Sequence, residues 1–136
     1  MVDESEKFTG GCLCGNIRYT AHGKPLSTVL CHCESCRRVS GSAFSVNAVF
    51  PESAVEITGE LSVFEDRGDS GHPVLRYFCN RCGAPVRSAA KATQGLFVVK
   101  AGTLDEPHKV APTAEYYSQA EVPGWRRPHR KFDTTP

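Results

Sequence analysis

Cys31-His32-Cys33-Glu34-Ser35-Cys36 is the stretch whose reading decides how this chain is held together. Cysteines one or two residues apart rarely bridge one another in ordinary backbone geometry, but they readily turn their sulfurs toward a common ion. Cys12-Leu13-Cys14 lies upstream and Cys79-Asn80-Arg81-Cys82 lies downstream, so the seven cysteines divide as four plus three. The outer C-x-C and C-x-x-C together offer four thiolates, enough to close one tetrahedral zinc site. The central C-x-C-x-x-C offers three and leaves a fourth position open. A filled zinc site is structural, whereas an open one can do chemistry.

A disulfide framework would leave one of seven cysteines over. A redox pair at Cys79 and Cys82 would open a helix, but the residues before them read as strand and Pro85 follows closely. Metal binding is therefore the expected use of all seven. The closed site would join segments far apart in sequence and pin the N-terminal stretch against the middle of a sheet.

The chain has 136 residues, which suits one domain of the usual roughly 100–200 residues. A single zinc domain over 1–136 is expected, its core over about 8–105 and its C-terminal tail packing on that core. Net charge is +1, so bulk electrostatics demand neither nucleic acid nor a membrane surface. No apolar run approaches the about 20 residues needed to cross a bilayer. The polar, acidic start Met1-Val2-Asp3-Glu4-Ser5-Glu6-Lys7 is unlike a secretory signal. A cytoplasmic location, where thiols stay reduced, is the expectation.

Strand patterns dominate, giving a mainly β fold class. Phe44, Val46, Ala48 and Phe50 alternate with Ser45 and Asn47, the period of a half-buried strand that places the two polar residues opposite the core. Further strands are expected over Asn16–Thr20, Ser27–Cys33, Val55–Thr58, Leu61–Glu65, Val74–Phe78 and Leu96–Ala101, with Gly59-Glu60 as a hairpin turn. Single helical turns are expected over Glu34–Val39 and Ala89–Gln94. Trp125 and Phe132 are expected to pack the tail onto the sheet, and Phe44 to lie in the core.

The central cluster determines the chemistry. Three thiolates on Zn²⁺ leave a net negative charge, which makes the site a poorer Lewis acid than one built from neutral histidines. A soft fourth ligand suits it, and a substrate thiolate held there stays electron-rich. Bond-making between sulfur and an electrophilic carbon follows. A residue that closes the site would instead make it structural; His22, His72, His108 and Glu115 are the candidates. His32, between two ligands, should point away from their metal. Arg37 and Arg38 follow directly and suit a carboxylate of a substrate or cofactor. Glu34 is better placed as an exposed carboxylate than as a proton shuttle. The run Arg126-Arg127-Pro128-His129-Arg130-Lys131 reads as a solvated face, so nucleic acid is not an expected partner.

Four segments carry a family resemblance: Gly10-Gly11-Cys12-Leu13-Cys14-Gly15, Cys31-His32-Cys33-Glu34-Ser35-Cys36-Arg37-Arg38, Gly41-Ser42-Ala43-Phe44 and Phe78-Cys79-Asn80-Arg81-Cys82-Gly83-Ala84-Pro85. In this order they resemble the glutathione-dependent formaldehyde-activating enzymes, a family that includes the centromere protein V group. The resemblance implies an Mss4-like β fold stapled by zinc. It implies a structural zinc on Cys12, Cys14, Cys79 and Cys82 and a catalytic zinc on Cys31, Cys33 and Cys36. It implies a carbon–sulfur lyase of the S-(hydroxymethyl)glutathione synthase type, with a small thiol such as glutathione and an electrophile such as formaldehyde as partners. The alternatives are a zinc-stapled binding module for protein or chromatin, or a zinc enzyme acting on another small molecule. One departure stands out: Glu115 occupies the place where family members often carry histidine.

Overall fold

Short β-branched and aromatic runs separated by glycine and proline favour strands over helices, and the computed structural model, which describes residues 6–125, is built of ten strands and one α-helix. β1 (Lys7–Gly11), β2 (Arg18–His22) and β5 (Val55–Thr58) form a small sheet in the order β1-β2-β5. The other sheet has seven strands in the order β10-β3-β4-β9-β8-β7-β6. Its members are β3 (Ser27–Cys31), β4 (Ser45–Pro51), β6 (Leu61–Arg67), β7 (Pro73–Cys79), β8 (Pro85–Ala90), β9 (Leu96–Lys100) and β10 (Ala114–Tyr116). All pairings are antiparallel except β10 against β3. The helix α1 (Glu34–Ser40) lies against β4. The mainly β expectation is met.

Strand register assigns the two faces of the large sheet, because paired residues share a face and residues two apart along a strand share it too. Ala48 faces Val99 and Phe50 faces Phe97 across β4 and β9. These four join Phe8, Ile17, Tyr19 and Ala21 of the small sheet and its loops in one core. Phe50, Ile17, Val86 and Val99 are wholly buried there, each worth about 1.5–3 kcal/mol by removal from water. The opposite face pairs Cys31 with Ser45 and Asn47 with Lys100. Arg76 of β7 falls on that same face, through Ser88 and Val98. The sheet thus has an apolar side that folds the chain and a polar side beneath α1.

Several expectations change. Ser45 and Asn47 are buried, not solvent-facing, because α1 and a buried lysine cover the second side of the strand. Gly59-Glu60 is not a hairpin turn: β5 pairs with β2, whereas β6 pairs with β7, so these residues carry the chain between sheets. Gly59 has φ 99°, and a Cβ there would strike the Asn16 carbonyl, which reserves the crossover for glycine. The Ala89–Gln94 stretch splits into the end of β8 and a 3₁₀ turn over Lys91–Thr93. Trp125 is 65% exposed, so it does not pack the tail down. Phe132 and the basic run 126–131 lie outside the described residues.

Candidate metal centre

The outer cysteines converge as their spacing requires. Cys12 and Cys14 occupy the loop after β1, Cys79 ends β7, and Cys82 lies in the turn before β8. Cys14 Sγ is 3.6 Å from Cys12 Sγ and 3.7 Å from Cys79 Sγ. A tetrahedral zinc with bonds of about 2.3 Å sets its sulfurs about 3.8 Å apart, so the donor set fits that ion. All four sulfurs lie within 4.8 Å of one another.

Backbone amides favour the thiolate at three of these sulfurs, Cys12, Cys79 and Cys82. Ile17 N donates to Cys12 Sγ at 3.2 Å, and Arg81 N donates to Cys79 Sγ at 3.3 Å. Burial opposes ionisation of Cys12, but the Ile17 amide and the Cys14 thiol carry it downward. The Cys82 and Arg81 amides lower Cys79, and those of Ala84 and Cys14 lower Cys82. The Asn16 amide also pulls Cys14 down, but burial and the other three sulfurs outweigh it and push that thiol up to about 11. Mutual repulsion among four thiolates is what a divalent cation converts into attraction. The segment closes tightly around Gly11, where a Cβ would collide with the Ile17 carbonyl.

The central cluster is built differently. Cys31 ends β3, Cys33 is the N-cap of α1, and Cys36 falls in its first turn. Cys33 Sγ accepts from Cys36 N at 3.3 Å, so the residue that starts the helix is also a candidate ligand. The three sulfurs lie within 4.8 Å of one another, and among the described residues no histidine, aspartate or glutamate joins them. Cys36 is held down to about 4, first by the Cys31 thiol, against burial, then by Cys33, the Ser45 hydroxyl and the charge of Lys100. Cys31 is pushed up by Cys36 and by burial, and Cys33 is raised chiefly by burial. Three soft, mutually repelling sulfurs fit a divalent soft-to-borderline cation with one position left over.

The four residues that might have closed this site are engaged or placed elsewhere. His22 Nε2 meets Glu56 at 3.3 Å, and His108 lies 4.0 Å from Glu106. His72 is exposed in the β6–β7 loop. Glu115 Oε1 lies 3.0 Å from Nε2 of His32, whose ring is buried and edge-on to Phe44 at 5.3 Å. Glu115 therefore supports a neighbour of the ligands.

A cavity of about 290 Å³ shares Ser45 and Lys100 with the surroundings of Cys36, although none of the three cysteines lines it. Val39, Phe44 and Pro85 give it apolar walls, while Ser42, Ser45 and Lys100 bring polar groups. Phe44 precedes β4 and lines this cavity; it lies outside the core cluster where its alternation had placed it. A second cavity of about 220 Å³ shares Val39, Pro85 and Lys100 with the first. Arg38 is turned outward, its Nε 3.1 Å from Glu34 Oε1 on the same helix. Neither Arg37 nor Arg38 lines either cavity.

Sequence reading missed Lys100, which is 8% exposed, and Arg76, also 8% exposed, whose Nε lies 2.9 Å from Asp66. The available signal was a lone cation in each of two apolar strands, Leu96–Lys100 and Pro73–Cys79. Tyr117 is the one described non-glycine residue with positive φ, at 57°. Its phenol bonds to Asp69, which raises it, within the field of Cys33 and Cys31.

A mostly β fold with one four-thiol and one three-thiol cluster defines a class of small, metal-competent β proteins. Within it, the sequence profile of the glutathione-dependent formaldehyde-activating enzymes matches residues 7–120, and the chain belongs to that family. A protein of Emericella nidulans, provisionally named a glutathione-dependent formaldehyde-activating enzyme, is 33% identical over 81 residues, covering 56% of this chain and 41% of that protein. One of Penicillium rubens with the same provisional name is 31% identical over 84 residues, covering 58% of this chain and 44% of that protein. The matched stretch is thus under half the length of these relatives. A crystal structure of a Rhodobacter sphaeroides protein superposes with a TM-score of 0.61 at 18% identity, covering 79% of this chain and 98% of that one. That similarity shows the fold. No helix among the described residues is long and apolar enough to cross a membrane.

Proposed function

We propose that the chain is a zinc-dependent carbon–sulfur lyase that adds a thiol to a small aldehyde and reverses that addition, with glutathione and formaldehyde as the pair. One observation carries this reading: a three-thiol cluster without a fourth ligand among the described residues, linked through Ser45 and Lys100 to a cavity large enough for part of a peptide thiol. Family membership supports it.

Zn²⁺ bound by Cys31, Cys33 and Cys36 supplies a Lewis-acid position that favours the substrate sulfur as thiolate. The three cysteines hold that position, with Cys33 and Cys36 set by the start of α1. Ser45 donates toward Cys36 and steadies its sulfur. Val39, Phe44 and Pro85 exclude water from one side of the incoming thiol. The sulfur lone pair forms the carbon–sulfur bond while the carbonyl π pair moves to oxygen. That oxygen takes a proton, giving the S-hydroxymethyl adduct; reversal returns the proton and both substrates. Arg37 and Arg38 are kept in this reading as cations for glutathione's carboxylates, Arg38 by exchanging its exposed pair with Glu34. Cys12, Cys14, Cys79 and Cys82 hold the second zinc as a staple.

The test is zinc per chain together with a glutathione titration. Two zincs, and glutathione binding that disappears in Cys33→Ser, are expected. One zinc with no thiol binding would reject the open site.

A further inference from the structure

The Lys100 ammonium is buried without a carboxylate. Its Nζ donates to the neutral Asn47 Oδ1 at 2.9 Å, and none of the ion pairs among the described residues includes it. The neighbouring cation Arg76 has its own partner in Asp66. Removing an ammonium from water is costly unless negative charge compensates it, so the fold must supply that charge in another form.

The three-thiol cluster lies on the same face of the sheet. Lys100 pairs in register with Asn47, and Ser45, two residues before Asn47, pairs with Cys31. All four lie on the polar face of the sheet. Burial, and the neighbouring charge of Arg76, push the Lys100 ammonium down, while Cys36, Cys31 and Cys33 offset part of that fall. Lys100 is also common to both cavities, so a molecule that uses either one meets it.

We infer that Lys100 is the countercharge of the three-thiol cluster and of the thiolate that joins it, a positioning residue acting through sulfur. The inference rests on the cluster being an open, thiol-binding metal site. A divalent cation with three thiolates is net negative, and a fourth thiolate adds to that charge. An incoming anionic sulfur would then favour water over the site. One fixed, desolvated ammonium offsets the added charge and lets the thiol lose its proton to solvent on binding. A neutral ligand gains nothing from it. This separates Lys100 from a simple carboxylate contact, which would favour only substrates that carry an acid group.

The experiment uses the full chain loaded with Co²⁺, following the sulfur-to-cobalt absorption band. Titrants are 2-mercaptoethanol, which has no carboxylate, glutathione, which has two, and neutral imidazole. Removing an outer partner of a metal site typically costs about 10–100-fold in affinity. Lys100→Met is expected to weaken both thiols by a similar factor in that range and to leave imidazole unchanged, with Lys100→Arg recovering most of the loss. Unchanged binding of both thiols overturns the inference. Weakening confined to glutathione overturns it too, and makes Lys100 a carboxylate contact. Wild-type protein that takes up two metals but binds neither thiol defeats the open-site reading itself. In that event, competition with a chelator still judges Lys100: faster metal release from the three-thiol site in Lys100→Met supports a countercharge, and equal rates reject it. If Lys100→Met does not fold, Lys100→Gln takes its place.

Discussion

The four-thiol cluster sits at the rim of the hydrophobic core, where Cys12 and Cys79 are themselves core members. The three-thiol cluster lies on the polar side of the large sheet at the start of α1, and Lys100 on that side lines two cavities. The first is supported by backbone amides, those of Ile17, Arg81 and Cys82 among them. The second draws on side chains as well, Ser45 and Lys100. Amides are fixed by the fold itself and suit a staple. Side chains can be chosen for the ligand they must tolerate, and they suit a site that exchanges one.

Four changes test that contrast. The largest effect is expected from Cys79→Ser. Structural zinc contributes about 10–16 kcal/mol of apparent binding energy in small metal-stapled peptides, comparable to the whole stability of a typical domain, roughly 5–15 kcal/mol. Loss of the cooperative thermal transition is expected; an ordinary melt with unchanged metal content would break the contrast at its first half. Cys33→Ser comes next. Serine is a good N-cap, so α1 should survive. The protein should fold with one metal fewer and no thiol binding, and full activity in this variant would remove the cluster from the chemistry.

Glu115→Gln sharpens the second half. It keeps a hydrogen bond to His32 but removes the charge, so a loss of about 1 kcal/mol in denaturant titration is expected, with metal content unchanged. A drop in metal content would make Glu115 a ligand after all. Asp105→Asn should have the smallest effect. Asp105 holds Arg18 and Thr9 beside the loop of the four-thiol cluster. Arg18, then Thr9, keep its carboxyl at about 2, below its ordinary 3.8. The pair is solvent-exposed, so its worth is at most about 1 kcal/mol. That stability is present in full above pH 3.8 and fades as pH falls through about 2. Wild type and Asp105→Asn should therefore differ at neutral pH and converge in acid; a gap that persists at low pH would mean the substitution acts through packing.

Strand positions such as Val55–Thr58 and Leu96–Lys100 were legible because short apolar runs flanked by glycine have few alternatives. Strands β1 and β10 were not: Lys-Phe-Thr-Gly-Gly and Ala-Glu-Tyr carry little local preference and form because a partner strand satisfies their backbone. Strand β8 was missed for a similar reason, since Pro85, Ser88 and two alanines are poor strand formers held between β7 and β9.

Cysteine spacing by itself determined which thiols gather within each motif, because one- and two-residue spacers bring sulfurs together whatever the fold; the meeting of Cys12 and Cys14 with Cys79 and Cys82 was the work of the tertiary structure. Alternation determined that the chain would be mainly β and that Ala48 and Phe50 would face a core. Only the tertiary structure decided that Ser45 and Asn47 are buried as well, that Glu115 meets His32, and that Lys100 shares a face with Cys31. Those outcomes depend on pairings between strands far apart in sequence, and local preference carries no record of which strands will become neighbours.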